Sequence, residues 1–185
     1  LFQVEFQTSR NQDSMISLIY HRKLDESWEN AARNLNKKLQ ATIIGRSRKQ
    51  KLSYGNDYVV ETYKSFKSKY SLRLYEQCFS QTNPEICEKI LSWVEKNLIF
   101  SDDDVVELHC GLGTFTMLLS KIFRKVLATE NSRPSFAGLK ENLRLNKCFN
   151  VNVARLSGHE TLQAISNERS FNRLGGIDIS EFKFN

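Results

Sequence analysis

Apolar and polar residues alternate through "LFQVEFQTS" (1–9), and an apolar run fills "SMISLIYHR" (14–22). The turn-prone "RNQD" lies between them, so the pattern predicts a β-hairpin. The spacing then changes to three and four residues over "DESWENAARNLNKKLQ" (25–40), where Trp28, Ala31 or Ala32, Leu35 and Leu39 share one helical face. Asp25 and Glu26 open this helix and Lys37 and Lys38 close it, the charge order the helix dipole favours. A strand is expected in "ATIIGRSR" (41–48). Beyond Gly55 and Asn56, two more are expected in "DYVVETY" (57–63) and "YSLRLYEQCF" (70–79). Residues 1–82 thus form a small α+β unit.

From residue 83 strands and helices take turns. "NPEICEKILSWVEKNLIF" (83–100) is an amphipathic helix capped by Asn83, with Pro84 at its first position. Strand 104–110, helix 114–123, strand "KVLATE" (125–130), helix "SRPSFAGLKENLRLN" (132–146), strand "VNVARLS" (151–157) and helix "HETLQAI" (159–165) follow. This alternation predicts an α/β domain over 83–185, Rossmann-like, with three parallel strands. A further strand is expected in the closing "GIDISEFKFN". The chain opens on Leu1 inside a strand pattern, which reads as a fragment of something longer.

Composition adds two constraints. The net charge of +6 is uneven: residues 33–73 hold eleven Lys or Arg against Asp57 and Glu61 alone, so the rest of the chain is slightly acidic. A local excess of one sign suggests a polyanionic partner. The four cysteines, at 78, 87, 110 and 148, form no C-x-x-C pair and read as reduced, mostly buried thiols of a cytoplasmic protein, with no metal site. No apolar run approaches the roughly 20 residues of a membrane span.

The candidate chemistry sits in "VVELHCGLGTFT" (105–116), a strand that stops at glycines and hands over to a helix. A dinucleotide fingerprint fails because Thr116 takes the third small position, and a phosphate-binding loop fails for want of Gly-Lys-Ser/Thr. What remains is Glu107 four residues before Gly111-x-Gly113, and a second acid, Glu130, closing the next strand. That pair suits S-adenosylmethionine, whose sulfonium needs backbone room rather than anion-binding amides, and whose ribose hydroxyls a carboxylate can accept from. NAD binding and a plain tight turn are the competing readings.

Taken together, "SLIYHRKLDESW", "IIGRSRKQKL", "FSQTNPEICEKIL", "VVELHCGLGTFT", "KVLATENSRPS" and "FNRLGGIDI" resemble the tRNA (uracil-5-)-methyltransferases along essentially the whole chain. The resemblance implies the first half of an S-adenosylmethionine methyltransferase domain behind a basic RNA-binding unit. Its implied activity is methylation at C5 of the T-loop uridine, through cysteine addition to C6. It implies cofactor contacts at Gln81, His109, Gly111, Gly113, Thr114 and Glu130, with His109 and Thr114 standing where the family often has Tyr and Asn. The family's Ser-Cys-Asn-Pro-like and Asp-Pro-Pro motifs have no counterpart in this chain, so no catalytic residue is assigned and the chain by itself is expected to be inactive.

The basic stretch 33–73 interleaves its charges with Tyr54, Tyr58, Tyr63, Phe66 and Tyr70. Cations neutralise phosphates and aromatic faces receive unstacked bases, so this composition suits RNA. Arg46, Arg48, Lys49 and Lys51 are the densest candidates for backbone contact, and Phe79 and then His21 are candidates for stacking on a flipped base. The expected partner is the T-arm of tRNA and the expected state a monomer. A non-catalytic RNA-binding module on a degenerate nucleotide fold is the alternative.

Overall fold

The computed structural model describes residues 1–99 and 101–184. The first four strands form one sheet in the order β1 (Gln3–Thr8), β2 (Ser14–Ile19), β3 (Thr42–Ser47), β4 (Gln50–Tyr54). β1 and β2 are the expected antiparallel hairpin. β2 and β3 run parallel, joined by the crossover helix α1 (Glu26–Leu39). Asp25 caps that helix by accepting from the Trp28 amide at 2.9 Å. Trp28 lies across β3 at Gly45, where an added Cβ would stand 2.2 Å from its Cη2. A side chain at position 45 would therefore lift the helix off the sheet.

β4 is a strand that the sequence pattern hides. Its polar residues obscure a two-residue alternation in which Gln50, Leu52 and Tyr54 turn inward. β3 reaches it through the two-residue turn Arg48–Lys49, with Lys49 at φ +61°. β5 (Tyr58–Lys64) and β6 (Lys69–Tyr75) then pair with each other. The chain divides into two compact units, Leu1–Glu61 with Leu74–Glu76, and Thr62–Arg73 with the chain from Gln77 onward, so both strands of this hairpin pass from one unit into the other.

The second unit begins with α2 (Pro84–Asn97), capped by Asn83 at 3.0 Å from the Ile86 amide. The helix ends at Asn97, short of the expected residue 100, which lies outside the described residues. β7 (Ser101–Leu108), β8 (Phe123–Thr129) and β9 (Val151–Ala154) form a parallel sheet in that order, as the alternation predicted. α4 (Arg133–Leu145) and α5 (Gly158–Ile165) follow β8 and β9. Leu91, Met117, Leu118, Val126, Leu127 and Leu139 are its completely buried centre.

Three expectations need correction. The helix after the glycine loop, α3, covers only Thr116–Leu119. The side chain of Asn150 donates to the carbonyls of Ser120 and Phe123, which ends the helix early. The third strand stops at Ala154 because Ser157 and Glu160 form a capping box for α5. No strand forms in 176–184. Gly175 and Gly176 take positive φ, and Asp178 accepts from the Ser180 amide to fold Ile179–Glu181 into a short 3-10 turn. Asn185, the last residue of that expected strand, lies outside the described residues.

Candidate functional site

The glycine loop leaves β7 through a run of left-handed backbone: His109 at φ +55°, Gly111 at +58° and Gly113 at +94°. The Cys110 amide donates to the Thr129 carbonyl at the end of β8, and this holds the loop at the carboxyl edge of the sheet, where open α/β folds bind ligands. Glu130 is the first residue beyond that strand. One carboxylate oxygen accepts from the Gly111 amide at 3.0 Å and the other from the Ser132 amide at 2.7 Å. Each oxygen keeps a lone pair for a further donor.

The two glycines do different things. A Cβ on Gly111 would meet no heavy atom within 4 Å, so open space faces this peptide. A Cβ on Gly113 would stand 2.6 Å from Leu139 Cδ1 and 2.8 Å from Met117 Cε, so the core fills that side. Gly113→Ala should cost about 3 kcal/mol, combining left-handed strain with a forced shift of two packed side chains. Gly111→Ala should cost about 1 kcal/mol, for strain alone. Thermal melts of both variants check the order; equal losses would contradict it.

Glu107 lies beneath the loop and accepts from the Thr116 hydroxyl at 2.6 Å. Desolvation pushes its carboxyl up to about 7, against the single lowering influence of that hydrogen bond. Burial likewise holds the Cys110 thiol well above its ordinary range, and Glu107 and Glu130 add to the effect. Such a thiol stays protonated and unreactive. Cys87 is buried as well.

Among the other expected cofactor residues, His109 is exposed, and its Nε2 lies 3.0 Å from where a Cβ on Gly158 would stand, over the start of α5. Thr114 is half-buried, with its carbonyl accepting from the Tyr70 hydroxyl at 2.7 Å. Gln81 is half-buried in the connection between β6 and α2. The fold thus brings His109, Gly111, Thr114 and Glu130 to one edge of the sheet. A separate cleft of about 720 Å³, lined by Leu174, Ile177 and Phe182 among others, contains none of them.

The basic cluster separates into two pairs. Arg46 donates to both oxygens of the buried Glu76 at 2.6 and 2.8 Å, and Lys51 approaches Glu76 at 3.4 Å and Asp57 at 3.1 Å. Arg48 and Lys49 stand exposed on the β3–β4 turn. His21 is exposed beside Phe2, their ring centres 4.3 Å apart and the planes tilted by 52°. The sequence placed Phe2 and His21 on the same hairpin but ranked only His21, after Phe79, for stacking, since no local signal shows that the strand ends bring the two rings together. Phe79 is 73% exposed.

The model of the family described as tRNA (Uracil-5-)-methyltransferase matches residues 1–185. A tRNA/tmRNA (uracil-C(5))-methyltransferase of Cellvibrio japonicus is 42% identical over 184 residues, covering 100% of this chain and 50% of its own length. The corresponding protein of Ectopseudomonas mendocina is 44% identical, with 100% of this chain and 51% of its own length covered. The chain therefore spans about half the length of the curated relatives it matches. Among solved structures, the Pyrococcus abyssi tRNA (uracil-54, C5)-methyltransferase, in complex with S-adenosyl-L-homocysteine, superposes with a TM-score of 0.60 at 14% identity. The superposition covers 82% of this chain and 38% of that one, a likeness of fold.

Proposed function

The chain belongs to the tRNA (uracil-5-)-methyltransferase family, and from that premise we propose that it carries the S-adenosylmethionine seat and part of the RNA-binding surface of an enzyme that methylates C5 of the T-loop uridine in tRNA. The observation that carries the reading is Glu130, a carboxylate with free lone pairs at the carboxyl edge of the sheet, tied to the one loop glycine that faces open space. The carboxylate accepts from the ribose hydroxyls, Gly111 gives the adenosyl group access to the backbone, and His109 flanks it, while Gln81 is added on the family likeness alone. S-adenosylmethionine, when bound, supplies an electrophilic methyl group on its sulfonium. The residues fit a neutral-backbone, single-acid seat of this kind better than a pyrophosphate site.

The nucleophile and the base lie outside this chain. Cys110 and Cys87 are buried, and Cys148 donates toward Met117 and the Asn146 carbonyl within the fold. Titration of the chain with S-adenosylmethionine tests the reading, together with incubation with tRNA and methyl-labelled cofactor. Saturable binding without transfer of label to uridine is expected. Transfer of label would place a nucleophile among the chain's four cysteines, half-buried Cys78 included, and absence of binding to folded chain would leave only the RNA-binding module.

On the RNA side, Arg48 and Lys49 contact phosphates while Arg46 and Lys51 hold Glu76, and the Phe2–His21 pair and Phe79 offer stacking faces. Replacing Arg48 and Lys49 together by Ala should weaken tRNA binding and lower the salt slope by about 1.5, with the melting temperature unchanged. Binding measured between low and moderate salt checks this, and an unchanged slope would move the phosphate contacts elsewhere.

A further inference from the structure

Strand β6 is tied to the glycine loop by Tyr70, which the sequence grouped with the RNA-facing aromatics but the fold buries, and by Asn142, to which the sequence gave no role. Asn142, on α4, is completely buried. Its carbonyl accepts from the Arg73 amide at 2.8 Å, and its amide donates to the Arg73 carbonyl at 3.2 Å and to the Leu112 carbonyl at 3.0 Å. Four residues on, at the C-cap of α4, Asn146 accepts from the Ser71 amide at 3.2 Å and donates to the Ser71 carbonyl at 2.8 Å. Four helical residues rise about 6 Å and two strand residues about 6.6 Å, so the two amides serve alternate residues of β6 as a neighbouring strand would. The second N–H of Asn142 goes beyond that ladder, to the loop. From β6 itself, the Tyr70 hydroxyl reaches the Thr114 carbonyl. Burial holds that hydroxyl in its protonated, donating form.

Leu112 and Thr114 flank Gly113, so the Leu112–Gly113 and Thr114–Phe115 peptide planes are both held from outside the loop. A loop with three left-handed residues has many alternative shapes, and a shape held before the ligand arrives spares the cost of ordering on binding. We propose that Tyr70 and Asn142 are positioning residues, which hold the carbonyls of Leu112 and Thr114 so that the loop keeps its binding shape. The proposal rests on the reading that this loop seats S-adenosylmethionine. Asn146 is the internal control: it grips the same strand with the same chemistry, and its remaining amide hydrogen bond goes to the Asn142 backbone carbonyl at 2.8 Å and not to the loop.

The test uses the isotope-labelled full chain and the variants Tyr70→Phe, Asn142→Ala and Asn146→Ala. Three quantities are measured: melting temperature, amide resonances of Gly111, Gly113 and Phe115, and affinity for S-adenosylmethionine. Tyr70→Phe should stay folded, shift the Gly113 and Phe115 amides and weaken binding about fivefold, with Asn142→Ala weakening it further. Asn146→Ala should lower the melting temperature and leave affinity within about twofold of the parent. Loop amides and affinity in Tyr70→Phe and Asn142→Ala that match those of Asn146→Ala would overturn the positioning role alone. A parent chain that binds no S-adenosylmethionine overturns the cofactor reading instead, while the amide shifts still decide whether the two residues shape the loop.

Discussion

Glu130→Gln should weaken S-adenosylmethionine binding by about 30-fold while leaving the chain folded, since hydrogen bonds to a charged acceptor contribute about 1.5–3 kcal/mol. Glu130 meets two amides, of Gly111 and Ser132, on its two oxygens. Glutamine offers one oxygen and one NH2, so one of those amides would face a donor. The variant therefore loses the charge that holds the ribose and disturbs the peptide that gives it room. Calorimetric titration of parent and variant in parallel measures the loss. An affinity within threefold of the parent would remove Glu130 from the site.

Glu107→Gln should have the opposite sign, on stability. The folded carboxyl titrates near 7 against an ordinary 4.5. Below pH 4.5 the group is protonated folded and unfolded, so its burial carries no charge penalty. Between 4.5 and 7 the folded state binds more protons than the unfolded one, and stability falls as pH rises. Above 7 the loss is complete, at about 3 kcal/mol. Glutamine keeps the size and can still accept from Thr116, yet it never ionises. The variant should therefore match the parent near pH 4.5 and exceed it by about 3 kcal/mol at pH 8. Urea melts at four or five pH values show the divergence, and parallel curves would mean that Glu107 is not desolvated in the folded chain.

Local signals were legible wherever a short stretch decides its own shape. Asp25 and the Asn83–Pro84 pair mark helix starts because a cap needs only the next three residues. The three parallel strands show as apolar runs because both faces of such a sheet are covered. Glu130 could be named from its place at the end of the second strand. β4 escaped because an edge strand guarded by Lys and Gln carries a weak apolar pattern. The short α3 and the turn at 179–181 were decided by Asn150 and Asp178, whose side chains take backbone groups that a longer helix or a strand would have used.

By itself, then, the sequence determined the order and type of most elements, the glycine loop with its closing acid, and the family. These depend on spacing within a few residues or on a likeness spread along the whole chain. Tertiary structure decided which of the basic residues stay available, because Glu76 meets Arg46 across 30 positions of sequence. It separated the open side of Gly111 from the filled side of Gly113, since Leu139 arrives there from another helix. It also joined Tyr70 and Asn142 to the loop. Buried polar groups must find partners wherever the fold offers them, and those partners lie too far along the chain for any local pattern to announce.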